Sequence, residues 1–281
     1  MLLSTIPVVT ASDEHYAPFL GVMIASLLEH VSSFTQVQFH VIDDNISDES
    51  KKRLKQTVTD YSSHSTINFL KVDRSLYENF LVSDHITTTA YYRISLPQLL
   101  KKYNYQKVLY IDADTLILDN IELLYNSDLQ GEIIGAVIDP GQTKALRDRL
   151  KIDSDDYYFN SGVMLIDLEK WRKNKITEKT FRFLTEHPER ILYHDQDALN
   201  AVLYEQWEPL HPRWNMQSSL IFQKHPAPDP VTKRLYQEGL EHPSIIHFTG
   251  HDKPWNTLKN HPYQELYMKK LAAGLFMKEV S

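Results

Sequence analysis

Short apolar runs that stop at carboxylates alternate with helix-like stretches through the first 140 residues, and this order constrains the fold most. Residues 6–11 are mainly apolar and end at Ser12 and Asp13. Residues 16–31 place Leu20, Met23, Ile24, Leu27, Leu28 and Val31 at helical spacing, which predicts a helix with one buried face. Residues 37–42 read as the next strand, with a turn at Asp43-Asp44-Asn45. Ser47 can then cap a helix reaching about Tyr61, with Asp48 and Glu49 in its first turn. A strand over 67–72, a helix over 88–100 and a strand over 107–111 continue the order. The repetition predicts an α/β fold with a mostly parallel central sheet flanked by helices.

In such sheets ligands lie beyond the carboxyl ends of the strands. Here those ends are acidic: Ser12-Asp13, Asp43-Asp44 and Asp112-Ala113-Asp114. The segment after the first strand, Thr10-Ala11-Ser12-Asp13-Glu14-His15-Tyr16, lacks the glycines of a dinucleotide cradle. A diphosphate reaches this edge only if a divalent cation bridges it to carboxylates.

The best candidate for that bridge is Val108-Leu109-Tyr110-Ile111-Asp112-Ala113-Asp114. Residues i and i+2 of an extended chain point to one side, ~6.5 Å apart at Cα. Both carboxylates can thus reach one hard cation. From the residues alone, a capped strand end and turn is the commoner meaning of such a pair.

Beyond residue 150 the alternation loosens. A strand over 159–168, helices over 177–186 and 195–203, a proline-rich loop region over 209–230, a strand over 244–248 and a helix over 263–277 are expected. The reading is one domain over 1–281, residues 1–140 serving nucleotide and metal and 141–281 the acceptor. The absence of cysteine excludes disulfides, thiolate catalysis and zinc–thiolate sites. A net charge of -7 without a dense basic run argues against nucleic acid as a partner. The N-terminus reads as a first strand and not a signal peptide, and no run approaches the ~20 apolar residues of a spanning helix. The expected location is cytoplasmic, with membrane association at most peripheral. The only anchor candidate is the tail from Tyr263, with Lys269, Lys270 and Lys278, for which packing on the domain is the favoured reading.

Seven segments, in order, carry a resemblance: ASDEHYAPFL, FHVIDDNIS, TTTAYYRISLPQLL, YQKVLYIDADTLIL, YYFNSGVMLIDLEKWR, HDQDALN and HFTGHDKPWN. Together they span about residues 6–255, and the chain resembles glycosyltransferase family 8. That family includes bacterial lipopolysaccharide galactosyl- and glucosyltransferases and glycogenin. The resemblance implies a GT-A nucleotide-diphospho-sugar transferase fold. It also implies transfer of a hexose, galactose or glucose, from a UDP-sugar to a saccharide or glycoconjugate, with retention and with Mn²⁺ or else Mg²⁺.

By position, Asp112, Asp114 and His247 look like the metal ligands, and an imidazole among oxygen ligands suits Mn²⁺ better than Mg²⁺. Ala11, Asp13 and Tyr16 look like the uridine contacts, and Gly250 and Lys253 like the diphosphate contacts. His15 departs from the asparagine often found there. Arg93, Asn160, Asp195 and Gln196 look like donor-sugar groups, and Asp139 resembles a position lining the acceptor side. Asp195 and Gln196 are the catalytic candidates. An amide at 196 favours same-face transfer over a covalent sugar adduct.

Three alternatives stand beside this reading. A haloacid-dehalogenase-like phosphatase also follows a strand with D-x-D, but Thr115 and Leu116 do not continue that motif. An inactive UDP-sugar-binding protein would keep the nucleotide site alone. A self-glucosylating enzyme would use one of its 16 tyrosines as acceptor.

Overall fold

The computed structural model describes residues 4–78, 80 and 88–276. Their strands are β1 (Ser4–Asp13), β2 (Thr35–Asp44), β3 (Thr66–Lys71), β4 (Lys107–Ile111), β5 (Thr115–Ile117), β6 (Ile134–Ile138), β7 (Phe159–Asp167), β8 (Trp207–Pro209), β9 (Met216–Gln217) and β10 (Ile245–His247). A seven-stranded sheet has the order β3-β2-β1-β4-β7-β6-β8. Within it β7 alone opposes its neighbours, so the sheet is mostly parallel.

A mostly parallel sheet must be covered on both faces. Successive side chains of a strand alternate between those faces. Ile6 and Val8 of β1 enter one core with Leu20, Met23 and Ile24. Val9 enters the other, with Tyr110, Met164 and Leu199.

The helix Ala17–Leu28 departs from the expected single buried face: all its residues except Pro18 and Ala25 are buried. A third core explains this, because Phe19 and Val22 pack with Leu116, Phe248 and Tyr267 on the side away from the sheet. Ser47 caps the helix Asp48–Tyr61 as expected, accepting from the Ser50 N–H at 3.1 Å.

The expected helix over 88–100 is instead a 3-10 helix, Thr88–Ser95, and then a short α-helix, Leu96–Leu99. Pro97 is tolerated only in the first turn of a helix, so α geometry starts afresh at Leu96. The loop region 209–230 holds only short elements, but an unexpected twelve-residue helix, Pro230–Glu241, follows it. Asp229 caps that helix by accepting from the N–H groups of Val231 and Thr232. The last helix, Gln264–Ala273, buries Tyr267 and Leu271 against the body of the protein. Met277, the expected end of that helix, and Lys278 of the anchor candidate lie outside the described residues. Among the described residues no helix is long and apolar enough to cross a membrane.

A second sheet, β5-β10-β9, does the positioning. β10 pairs antiparallel with β5 and parallel with β9, setting His247 opposite Thr115 and Gln217. Thr115 directly follows Asp114, so this pairing brings His247 to the carboxylate pair.

Candidate active site

Where β4 ends, the Asp112 N–H donates to the Gly162 carbonyl at 2.8 Å and the chain turns into β5. The turn presents Asp112 and Asp114 beside His247, with one ligand atom of each within 4.8 Å of the others. His247 Nε2 lies 3.3 Å from Asp114 Oδ1 and 3.8 Å from Asp112 Oδ2. Two carboxylates and an imidazole form a donor set for a divalent cation. Gly162 leaves room for it: a Cβ there would stand 2.1 Å from His247 Cε1 and 2.7 Å from Asp112 Oδ2. These residues fit a divalent cation.

Each carboxylate also faces a buried cation. Arg93 donates to Asp112 Oδ1 at 2.9 Å and to the Ser161 carbonyl at 2.7 Å. Its Nε lies 3.0 Å from Asp195 Oδ2, and its guanidinium sits 4.5 Å from the Tyr110 ring centroid. This buried guanidinium thus has two carboxylate partners, Asp112 and Asp195. Lys253 Nζ donates to Asp114 Oδ2 and to the Phe248 carbonyl, each at 2.5 Å. Burial opposes ionisation of Asp114, but Lys253 and His247 outweigh it and hold the carboxyl far below its usual range. At 7% exposure Lys253 is no surface lysine. Burial pushes the Asp195 carboxyl up to about 6, with Arg93 opposing and Asp112 adding.

Further along the cleft, Gln196 is held at both ends. Its Oε1 accepts from the Ser161 N–H at 3.0 Å and its Nε2 donates to Asp139 Oδ2 at 3.2 Å. Burial pushes the Asp139 carboxyl up. Asn160 Oδ1 accepts from the Gly162 N–H at 3.0 Å and from Asn215 Nδ2 at 2.9 Å. Asn215 Oδ1 in turn meets His247 Nδ1 at 2.9 Å.

At the other end, Asp13 Oδ1 accepts from the Tyr16 N–H at 2.8 Å, so it closes the turn before the first helix. Tyr16 packs edge-on against Phe19 and Trp255 while facing the cleft. Gly250 has φ 86°, and no atom lies within 4 Å of where its Cβ would be. Glycine is needed there for backbone conformation, and the space beside it is open.

All thirteen candidate residues line one cleft of about 310 Å³: Ala11, Asp13, Tyr16, Arg93, Asp112, Asp114, Asp139, Asn160, Asp195, Gln196, His247, Gly250 and Lys253. The sequence reading missed Tyr110, Ser161, Gly162 and Asn215. Tyr110 donates to Asp112 Oδ1 at 3.0 Å, and Ser161 uses its N–H and carbonyl on Gln196 and Arg93. The Asn-Ser-Gly triplet inside a strand signalled a break in regular pairing. The β6–β7 register does shift there, between Ala136 and Val137. Asn215 carried no local signal.

The model of glycosyl transferase family 8 matches residues 7–259. General stress protein A of Bacillus subtilis (strain 168) is 42% identical over 262 residues, covering 92% of this chain and 91% of that protein. A lipopolysaccharide 1,2-glucosyltransferase of Escherichia coli is 28% identical over 259 residues, covering 89% and 73%. A crystal structure of galactosyltransferase LgtC with donor and acceptor sugar analogues superposes with a TM-score of 0.84 at 26% identity, covering 96% of each chain. With the match extending over nearly the whole chain, and the cleft residues inside it, the protein belongs to glycosyl transferase family 8.

Proposed function

We propose that this chain is a retaining hexosyltransferase that moves galactose or glucose from a UDP-sugar to a saccharide or glycoconjugate acceptor with Mn²⁺. The observation that carries the reading is the convergence of thirteen residues from well-separated segments of the chain on one cleft, around Asp112, Asp114 and His247. When bound there, the cation neutralises charge on the departing diphosphate. Asp13, Ala11 and Tyr16 hold the uridine, and Gly250 and Lys253 receive the diphosphate, Lys253 exchanging its bond to Asp114 for phosphate oxygens. Arg93, Asn160 and Asp195 hold the hexose.

Transfer breaks the bond between the anomeric carbon and the diphosphate oxygen and forms one to the acceptor oxygen on the same face. The acceptor proton passes to the leaving phosphate. Gln196 offers a carbonyl oxygen to the positive charge developing on the sugar, and its tether to Ser161 and Asp139 keeps it in place. Asp195 is a poor candidate for a covalent nucleophile, because Arg93 occupies its Oδ2. Residues 1–281 work as one unit, located in the cytoplasm and at most peripherally on the inner face of the membrane.

The test has two stages. Thermal shift is measured with UDP, GDP and ADP, each with and without Mn²⁺. A ligand at ~100 times its Kd stabilises by about 2.7 kcal/mol, which is readily seen. Stabilisation by UDP with Mn²⁺, lost in Asp112→Asn, supports the reading. UDP-galactose and UDP-glucose are then screened as donors, with product anomers read by proton NMR. Binding of UDP without turnover on any acceptor favours the inactive-binder alternative. An inverted product, or a sugar adduct trapped on Asp195, rejects the same-face mechanism.

A further inference from the structure

His247 Nε2 can serve as a metal ligand only if the ring proton sits on Nδ1. We propose that Asn215 and Asn160 form a relay that fixes this tautomer, starting from the backbone N–H of Gly162. The proposal rests on the reading of His247 as a ligand.

The direction of every bond in the relay follows from its first member. A backbone N–H only donates, so the Asn160 atom 3.0 Å from Gly162 N is the amide oxygen. That oxygen also meets the Asn215 side chain at 2.9 Å, and so faces the Asn215 NH₂. The opposite end of Asn215 is then its oxygen, which accepts from His247 Nδ1 at 2.9 Å. Nδ1 therefore carries a proton, and Nε2, which faces Asp112 and Asp114, is the nitrogen free to give its lone pair to a cation bound between them.

Turning either amide over breaks the chain. A flipped Asn160 sets its NH₂ against the Gly162 N–H. A flipped Asn215 sets its oxygen against the Asn160 oxygen. Asn215, Asn160 and His247 are 0%, 6% and 4% exposed, so water has little access to rescue a mismatched pair. Asn215 thus acts as a positioning residue, and Asn160 does so in addition to lining the donor pocket. An amide suits the central place because it accepts at one end and donates at the other.

Metal-free protein labelled with ¹⁵N-histidine tests the relay directly. The expected His247 spectrum shows a protonated Nδ1 whatever the state of Nε2, and an unprotonated Nδ1 overturns the proposal. Mn²⁺ affinity, read by electron paramagnetic resonance, supplies the second arm. Asn215→Leu is expected to weaken binding by about 10- to 100-fold, the usual effect of losing a partner behind a ligand. Asn215→Asp keeps an acceptor on Nδ1 but sets its second oxygen against Asn160 Oδ1, so it is expected to lose less affinity than Asn215→Leu without matching wild type. Wild-type affinity in Asn215→Leu, or equal losses in both variants, refutes the tautomer role. A wild type that binds no Mn²⁺ rejects the functional reading instead, and the histidine spectrum then decides the relay alone.

Discussion

Gly162→Ala isolates the geometry of the metal site with one methyl group. Gly162 lies outside the left-handed region of backbone space, so alanine brings no conformational strain of its own. Its Cβ would lie 2.1 Å from His247 Cε1, 2.9 Å from His247 Nδ1 and 2.7 Å from Asp112 Oδ2. Carbon atoms in contact sit about 3.5–4.0 Å apart. The ring or the strand must therefore move by roughly 1.5 Å to restore ordinary contact.

The ring is held by Asn215 at 2.9 Å and its strand is paired on both sides, so the shift is resisted. Metal–ligand distances tolerate only about ±0.2 Å, and the displacement exceeds that several-fold. Mn²⁺ affinity is expected to fall by ~100-fold or more. Overpacking adds a stability loss of about 1–3 kcal/mol. For a chain of this size each kcal/mol lowers Tm by roughly 2–4 °C. Titration calorimetry with Mn²⁺ and a thermal melt without it give both numbers. Wild-type affinity and an unchanged melt in Gly162→Ala would show that the crowding argument is wrong.

Asp112→Asn and Asp114→Asn are each expected to lose transfer by several orders of magnitude, and near-normal rates with Mn²⁺ present reject the ligand assignment. Lys253→Met frees Asp114 from a buried ammonium, so metal alone should bind more tightly while UDP binds more weakly. Calorimetry in which both affinities change in the same direction refutes that exchange. Burial holds the His261 imidazole down at about 4, and burial with Lys102 does the same to His40. Their ordinary value is near 6.5, so between these limits the unfolded chain takes up protons that the folded one refuses. Each ring therefore removes up to about 1.4 kcal/mol of stability per pH unit as pH falls through that window. Denaturant melts from pH 7 to 4 should be flatter for His261→Phe than for wild type, and parallel curves contradict the assignment.

The first half of the fold was legible because its strands and helices are long enough to show a period. Ser47, the carboxylate pair and the acidic strand ends all announce themselves within a few residues. The second sheet did not, since β5, β9 and β10 are two or three residues long and no alternation can develop. The helix Pro230–Glu241 had a readable start in Asp229-Pro230, but the prolines before it hid the signal. Family resemblance located His247 and Lys253, which local pattern could not distinguish from ordinary surface or structural residues. Asn215 and Gly162 became meaningful only through contacts made in space. Asn215 meets His247 across 32 positions and Asn160 across 55.

The short strand β10 is wedged between β5 and β9, and it ends on the third ligand of the proposed metal site. Asp114 and Lys253, 139 positions apart, meet at the same place. An ion bound there would hold the last part of the chain to the central sheet. The free energy of ion binding would then be added to the local opening of β10 and the segment after it, and only secondarily to the far edge at β3. Amide exchange should accordingly slow most between Ile245 and Tyr267 when metal is added. The ion would act as a clasp on the carboxyl-terminal segment as well as a partner for phosphate.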